Sequence, residues 1–242
     1  MIIDNADFVY LLKWMKKPYN VDEEDYQKWR KDRKSEAPRE RMGNRIYATD
    51  FQSYMKCARR LWFLSHEPKT KKSMINKSIY IAEKRHDDIE AYLKDCGWKT
   101  ELRCEATLTV GKAKVSASGY IDGLSPSNFI LDIKHKYYPT EGDKLQTGFY
   151  QKLLKPTETK IVLLYPNQVA MFEDVAKIID KYLPRVYACI ALDIQPPKHP
   201  SFPRCYASCE YYKECGRTRV RPKQKPFTEW NEWFTKIREA IY

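Results

Sequence analysis

Residues 119–136 read GYIDGLSPSNFILDIKHK. Two stretches rich in apolar and β-branched residues flank a Ser-Pro-Ser-Asn turn at 125–128, so two antiparallel strands are expected to meet here. On a strand, residues two apart share a face, which places Asp132 and Lys134 side by side. Asp122 joins them only in one register. A loop of 124–128 pairs it with Ile130 on that face, whereas a loop one residue shorter does not. Two carboxylates converging on one point form a hard oxygen site suited to Mg²⁺ or Mn²⁺. A lysine beside them can orient water or meet developing negative charge. The plainer reading is an Asp-Gly turn next to a strand ion pair, since charge pairs on strands are common.

Working outward, segments 101–110 and 113–122 alternate in the same way and turn at Gly111, completing with 128–134 a three-stranded antiparallel meander. Upstream, Phe51, Tyr54, Met55, Ala58, Leu61 and Trp62 recur at helical spacing and predict a helix over 50–64, opened by a Thr49/Gln52 capping box. A second helix, 73–95, carries Ile75, Ile79, Ala82, His86, Ile89 and Leu93 on one stripe. His86 is therefore directed toward the core, where its ring could add a nitrogen ligand. Downstream the pattern predicts a helix over 143–154, a buried strand over 161–165 and a helical stretch over 173–193 interrupted at Pro184. A last amphipathic helix is capped by Thr228 and shows Trp230, Trp233, Phe234, Ile237 and Ile241 on one face. This order is an α/β pattern.

The chain has 242 residues, and 44 Lys and Arg against 32 Asp and Glu leave a formal charge of +12. Its 43% hydrophobic and 14% aromatic content excludes a disordered chain. The longest apolar run, Val186 to Leu192, is far too short to span a bilayer. Asp4 and Asp7 stand where a signal peptide would be basic, so a cytoplasmic protein is expected. The positive charge favours an anionic partner, nucleic acid before a membrane surface.

Cys205, Cys209 and Cys215 are spaced C-x3-C-x5-C in PRCYASCEYYKECG, with Cys57 far upstream. Three clustered soft ligands and one distant ligand can close a tetrahedral site, for which zinc is the generic expectation, with His199 or Cys57 as the fourth ligand. Cys96, Cys104 and Cys189 read as small buried hydrophobes. Arg217, Arg219, Arg221, Lys223 and Lys225 form either a solvated tail or a phosphate-binding run. Of the 18 tyrosines, Tyr137, Tyr138 and Tyr150 lie nearest the expected chemistry and could stack on unpaired bases.

The order His86, Asp122, Asp132-Ile133-Lys134, then Gln146 and Tyr150 four apart on the next helix, resembles the PD-(D/E)XK nuclease superfamily, RecB branch. Asp132 stands where many members have Glu, and Gly119-Tyr120-Ile121 stands where the name-giving proline would precede the acid. The resemblance implies a restriction-endonuclease-like core, a central mixed sheet flanked by helices, over residues 47–216. An N-terminal extension (1–46) and a basic segment with an amphipathic helix (217–242) complete the chain. It implies that His86, Asp122, Asp132 and the Ile133 carbonyl hold Mn²⁺ or Mg²⁺, that Lys134 is catalytic, and that Gln146 and Tyr150 organise the site. One early and three late cysteines bracketing such a core resemble the iron-sulfur nucleases, in particular the CRISPR-associated RecB-like exonucleases, whose opening TDFQSYMKCARRLWF is similar to. This implies a 4Fe-4S cluster on Cys57, Cys205, Cys209 and Cys215, although the late motif of those proteins commonly has one residue fewer between its first two cysteines.

The function expected is a metal-dependent exonuclease acting on single-stranded DNA or DNA ends, with CRISPR-adaptation (antiviral defence) or recombination proteins as possible partners and no membrane. The alternatives are a catalytically inactive nucleic-acid-binding protein with a structural zinc or iron-sulfur site, and a zinc-stapled scaffold for a protein partner.

Overall fold

A computed structural model of the protein describes residues 5–35, 41–67, 75–154, 159–198, 209, 211–215 and 228–242. Helices α1 (Asn5–Lys16) and α2 (Glu23–Ser35) are followed by a short strand β1 (Ile46–Tyr47) and helices α3 (Ala48–Lys56), α4 (Ala58–His66) and α5 (Lys77–Asp95). Strands β2 (Lys99–Val110), β3 (Ala113–Leu124) and β4 (Phe129–Ile133) lead into α6 (Glu141–Leu154). Strands β5 (Lys160–Leu164) and β6 (Val169–Glu173), then α7 (Ala176–Ala191) and α8 (Thr228–Ile241), complete it.

The strands form one six-stranded mixed sheet ordered β1-β3-β4-β5-β6, with β2 also paired to β3. The β2–β3 and β3–β4 pairs are antiparallel, as the alternating pattern predicts, and β4–β5 is parallel with α6 as the crossover. One side of the sheet buries Leu131, Ile133, Val162 and Leu164 against α5 (Ile89, Leu93) and α1 (Phe8, Leu11, Met15). The other buries Ile121 and Ile130 with side chains of α3, α4, α6, α7 and α8. Helices on both faces of a mixed sheet make an α/β architecture. No described helix is long and apolar enough to cross a membrane.

Three local expectations are corrected. The helix expected over 50–64 is two helices. Cys57 is extended (φ −171°, ψ 113°), and it both closes α3, its N–H donating to Ser53 O, and opens α4, its carbonyl accepting from Leu61 N. Asp50, not the Thr49/Gln52 pair, caps α3, accepting the Tyr47 N–H at 2.7 Å while Arg41 pairs with it. The stretch 173–193 is a strand end followed by a helix that continues through Pro184. Burial of Ile179, Leu183, Val186 and Ile190 outweighs the one backbone bond that proline removes. Strand β6 had no reading of its own, because VAMFE is a short edge strand with no residue fully buried and no clean alternation of cover.

Candidate active site

The register of β3 and β4 pairs Gly123 with Leu131 and Leu124 with Ile130. Continued one step, it sets Asp122 directly opposite Asp132, two residues further along than the sequence expectation of Ile130, and on the same face. The ladder stops there. Instead of a β3 carbonyl, the Ile133 N–H meets the Asp122 carboxylate, donating to Oδ2 at 2.6 Å. The strands part at this point, and the two acids line the gap.

Four elements contribute side chains. Asp132 on β4 is 3% exposed, and Lys134 Nζ lies 2.6 Å from its Oδ2. That ion pair partners the buried Oδ2. Lys134 also donates to Gln146 Oε1 at 2.9 Å, and Gln146 Nε2 donates to Tyr150 OH at 2.8 Å. A lysine only donates, so the oxygen of the Gln146 amide must face it and the nitrogen must face Tyr150. From α5, His86 places Nε2 at 3.4 Å from Asp122 Oδ1 and Nδ1 at 3.2 Å from Glu90 Oε1. The structure thus brings His86, Asp122, Asp132, Ile133, Lys134, Gln146 and Tyr150 to one place.

Electrostatics follow from burial and neighbours. Burial pushes the Asp132 carboxyl above the ordinary carboxylate range, and the Asp122 charge adds to this against Lys134. Burial also acts on Asp122, but His86, the Ile133 N–H and Lys134 outweigh it and hold its pKa below the usual value. Desolvation disfavours the His86 imidazolium, yet Asp122 and Glu90 more than offset this and raise its pKa. Burial and the Asp132 charge keep the Tyr150 phenol protonated.

Two residues escaped the sequence reading. Glu90 is buried, and with His86 and Asp122 it forms the one group of three among the described residues whose ligand atoms all lie within 4.8 Å of one another. Its position four residues after His86 on one helix was the available signal. His135 lies at the exposed rim with its ring 6.3 Å from that of His86. The donor set suits a hard divalent cation: the His86 imidazole and the carboxylate oxygens of Asp122 and Asp132, with Glu90 beside them.

Cys57, Cys209 and Cys215 are half-buried, and none of the described cysteines is in a disulfide. Tyr211, between the two late cysteines, stacks on Phe63 of α4 at 5.1 Å and 9°, which sets that loop against the helix that Cys57 begins. Among the described residues Cys57, Cys209 and Cys215 do not bring all three sulfurs within 4.8 Å of one another, so the expected cysteine cluster is not formed there. Cys205, His199 and the basic run Arg217 to Lys225 lie outside the described residues. Cys104 and Cys189 are buried, and Cys96 is half-buried against the α1–α5 side.

No protein-family model and no curated protein matches the chain. The crystal structure of SSO0001 is similar over 85% of this chain and 98% of its own, with 20% identity and a TM-score of 0.57. LHK-Exo in complex with dAMP covers 68% of this chain and 90% of its own at 12% identity and a TM-score of 0.42. A phage-related exonuclease from Haemophilus somnus 129PT covers 65% and 94% at 10% identity and a TM-score of 0.39. Only the first score supports structural equivalence, and the chain shares the fold of SSO0001 along nearly the whole length of that protein.

Proposed function

We propose that the protein is a metal-dependent DNA nuclease that hydrolyses phosphodiester bonds, acting as an exonuclease on single-stranded DNA or DNA ends. The carrying observation is Asp132: a buried carboxylate facing Asp122 across the parting strands and paired at 2.6 Å to a lysine two residues on. His86, Asp122, Asp132 and the Ile133 carbonyl would hold Mg²⁺ or Mn²⁺. Bound there, the ion would neutralise charge on the phosphodiester and make water more acidic. Lys134, held between Asp132 and Gln146, orients the attacking water in line with the bond to be broken and meets charge developing on the phosphate. Tyr150 fixes the Gln146 amide, and so the lysine's position. The formal charge of +12 favours approach of a phosphate backbone.

The cysteines, Cys57 with Cys205, Cys209 and Cys215, are proposed to hold a 4Fe-4S cluster that staples the late loop to α4, with zinc as the alternative. This part of the proposal follows from the resemblance of its motifs to the RecB-like, iron-sulfur, CRISPR-associated nucleases. The test is cleavage of end-labelled single-stranded and duplex DNA with Mn²⁺, with iron and zinc measured on the same preparation. Asp132→Ala and Lys134→Ala are expected to melt cooperatively yet lose about 100-fold or more in rate. Folded variants that cut as fast as wild type would refute the assignment.

A further inference from the structure

Glu90 has no place in the chemistry so far, yet it is a carboxylate with 5% exposure, one helical turn from His86. Burying an acid costs stability unless partners compensate. Its surroundings are mixed: the His86 ring faces Oε1 at 3.2 Å, whereas Asp122 and Glu101 carry the same charge as Glu90. Glu101 sits on β2 opposite Asp122 in the continued β2–β3 register, in the left-handed region at φ 46°. His86, Glu90 and Asp122 bring ligand atoms within 4.8 Å of one another, and a cation there would offset the repulsion between the two acids.

The two nitrogens of His86 divide this cluster. Nε2 faces Asp122 Oδ1 at 3.4 Å, and Nδ1 faces Glu90 Oε1 at 3.2 Å. A neutral imidazole has one bare nitrogen for a metal and one N–H, and the neighbour of the N–H decides which is which. We propose that Glu90 is a positioning residue of the metal centre: it accepts the Nδ1 proton of His86, fixes the ring and its tautomer, and leaves Nε2 as the ligand beside Asp122. An i,i+4 pair serving only the helix would stabilise it by about 0.3–0.5 kcal/mol and would be found at the surface. Glu90 is buried, and its oxygen meets the one nitrogen turned away from Asp122. A carboxylate behind a ligating histidine also raises the basicity of that ligand. The inference rests on the nuclease reading for the cation itself, and extends it to a residue that touches neither cation nor DNA.

The test is Mn²⁺ binding by the intact chain, measured by titration calorimetry without DNA, with thermal melting of each metal-free variant. Glu90→Leu is expected to weaken Mn²⁺ binding about 10- to 100-fold. Glu90→Gln, whose amide oxygen still accepts from Nδ1, should lose much less. In a His86→Ala background, Glu90→Leu should cause no further loss, because the effect passes through the ring. Without metal, Glu90→Leu should melt no lower than wild type, which removes folding as the cause. Wild-type Mn²⁺ affinity in Glu90→Leu overturns the proposal. So does an equal loss in Glu90→Gln and Glu90→Leu that persists without His86, since Glu90 would then be a ligand. A wild-type chain that binds no Mn²⁺ overturns the nuclease reading too, whereas failure confined to the Glu90 variants leaves that reading intact.

Discussion

A methyl group on Gly119 would stand 2.5 Å from Tyr150 Cε1 and 3.1 Å from Ala48 Cβ, so the absence of a side chain there is what admits the tyrosine ring. That ring ends the chain of bonds running from Asp132 through Lys134 and Gln146. Gly119→Ala is expected to cost about 1–3 kcal/mol by overpacking and to slow cleavage, because Tyr150 must shift and takes Gln146 with it. Tyr150→Phe keeps the ring, costs about 1 kcal/mol for the amide nitrogen left unpaired, and separates the two effects. Denaturant midpoints alongside cleavage rates check this, and a Gly119→Ala protein as stable and active as wild type would refute it. At this scale the sequence was informative where one period governs. Asp132 and Lys134 share a face by the strand period of two, and Gln146 and Tyr150 by helical spacing. Glu90 lay on the same helix face as His86 but gained meaning only once α5 docked and turned Nε2 toward Asp122.

Among the elements, the link from β4 to α6 depends on one acid that the sequence did not single out. Asp143, at 0% exposure, accepts from Thr140 N and Oγ1, from Gln52 Nε2 at 2.8 Å and from Tyr165 OH at 3.1 Å, and pairs with Lys136 Nζ at 2.7 Å. It joins α3, the end of β5 and the start of α6 behind Lys134. Between these bonds the segment presents Tyr137 and Tyr138 at 63% and 76% exposure, the tyrosines placed nearest the chemistry from sequence. Burial alone would raise the Asp143 pKa, but Lys136 and Thr140 outweigh it and the net shift is downward. A depressed folded pKa means that the carboxylate stabilises fully above its unfolded value of about 3.9, and that this contribution disappears as pH falls through the folded value. Melting temperature followed from about pH 7 to about pH 3 should therefore fall less steeply in Asp143→Asn than in wild type. The variant should start lower at neutral pH, by about 1–3 kcal/mol, from the weakened hydrogen bonds. Parallel curves would show that Asp143 does not carry the acid limb. Element boundaries were legible wherever local periodicity and packing agreed. They failed at Cys57, where one extended residue joins two helices, and at Pro184, where burial keeps the helix intact.

For the whole molecule, the sheet needs cover on both faces, and the first helix supplies part of it. From the sequence, residues 1–46 have no chemistry and read as an extension, because a helix of mixed composition names no partner. In the fold, Leu11 and Met15 are almost fully buried with Ile89, Leu93 and Trp98, over the face opposite Asp132 formed by Leu131, Ile133, Val162 and Leu164. Leu131 and Ile133 alternate with Asp132 along β4, so the packing that α1 completes holds the strand whose other face presents Asp132. At the far end α8 buries Trp233, Ile237 and Ile241, and the Ile241 carbonyl accepts from Lys112 N at the β2–β3 turn. If α1 is part of the folding unit, Leu11→Ala should behave as a core truncation, costing about 2–5 kcal/mol with an unchanged denaturant slope. Cleavage of single-stranded DNA without denaturant should stay within a few-fold of wild type, since no ligand has moved. If residues 1–46 were a separate extension, Leu11→Ala would leave the denaturant midpoint of the core where it was. Urea unfolding followed by fluorescence and by cleavage activity on the same samples decides between these outcomes.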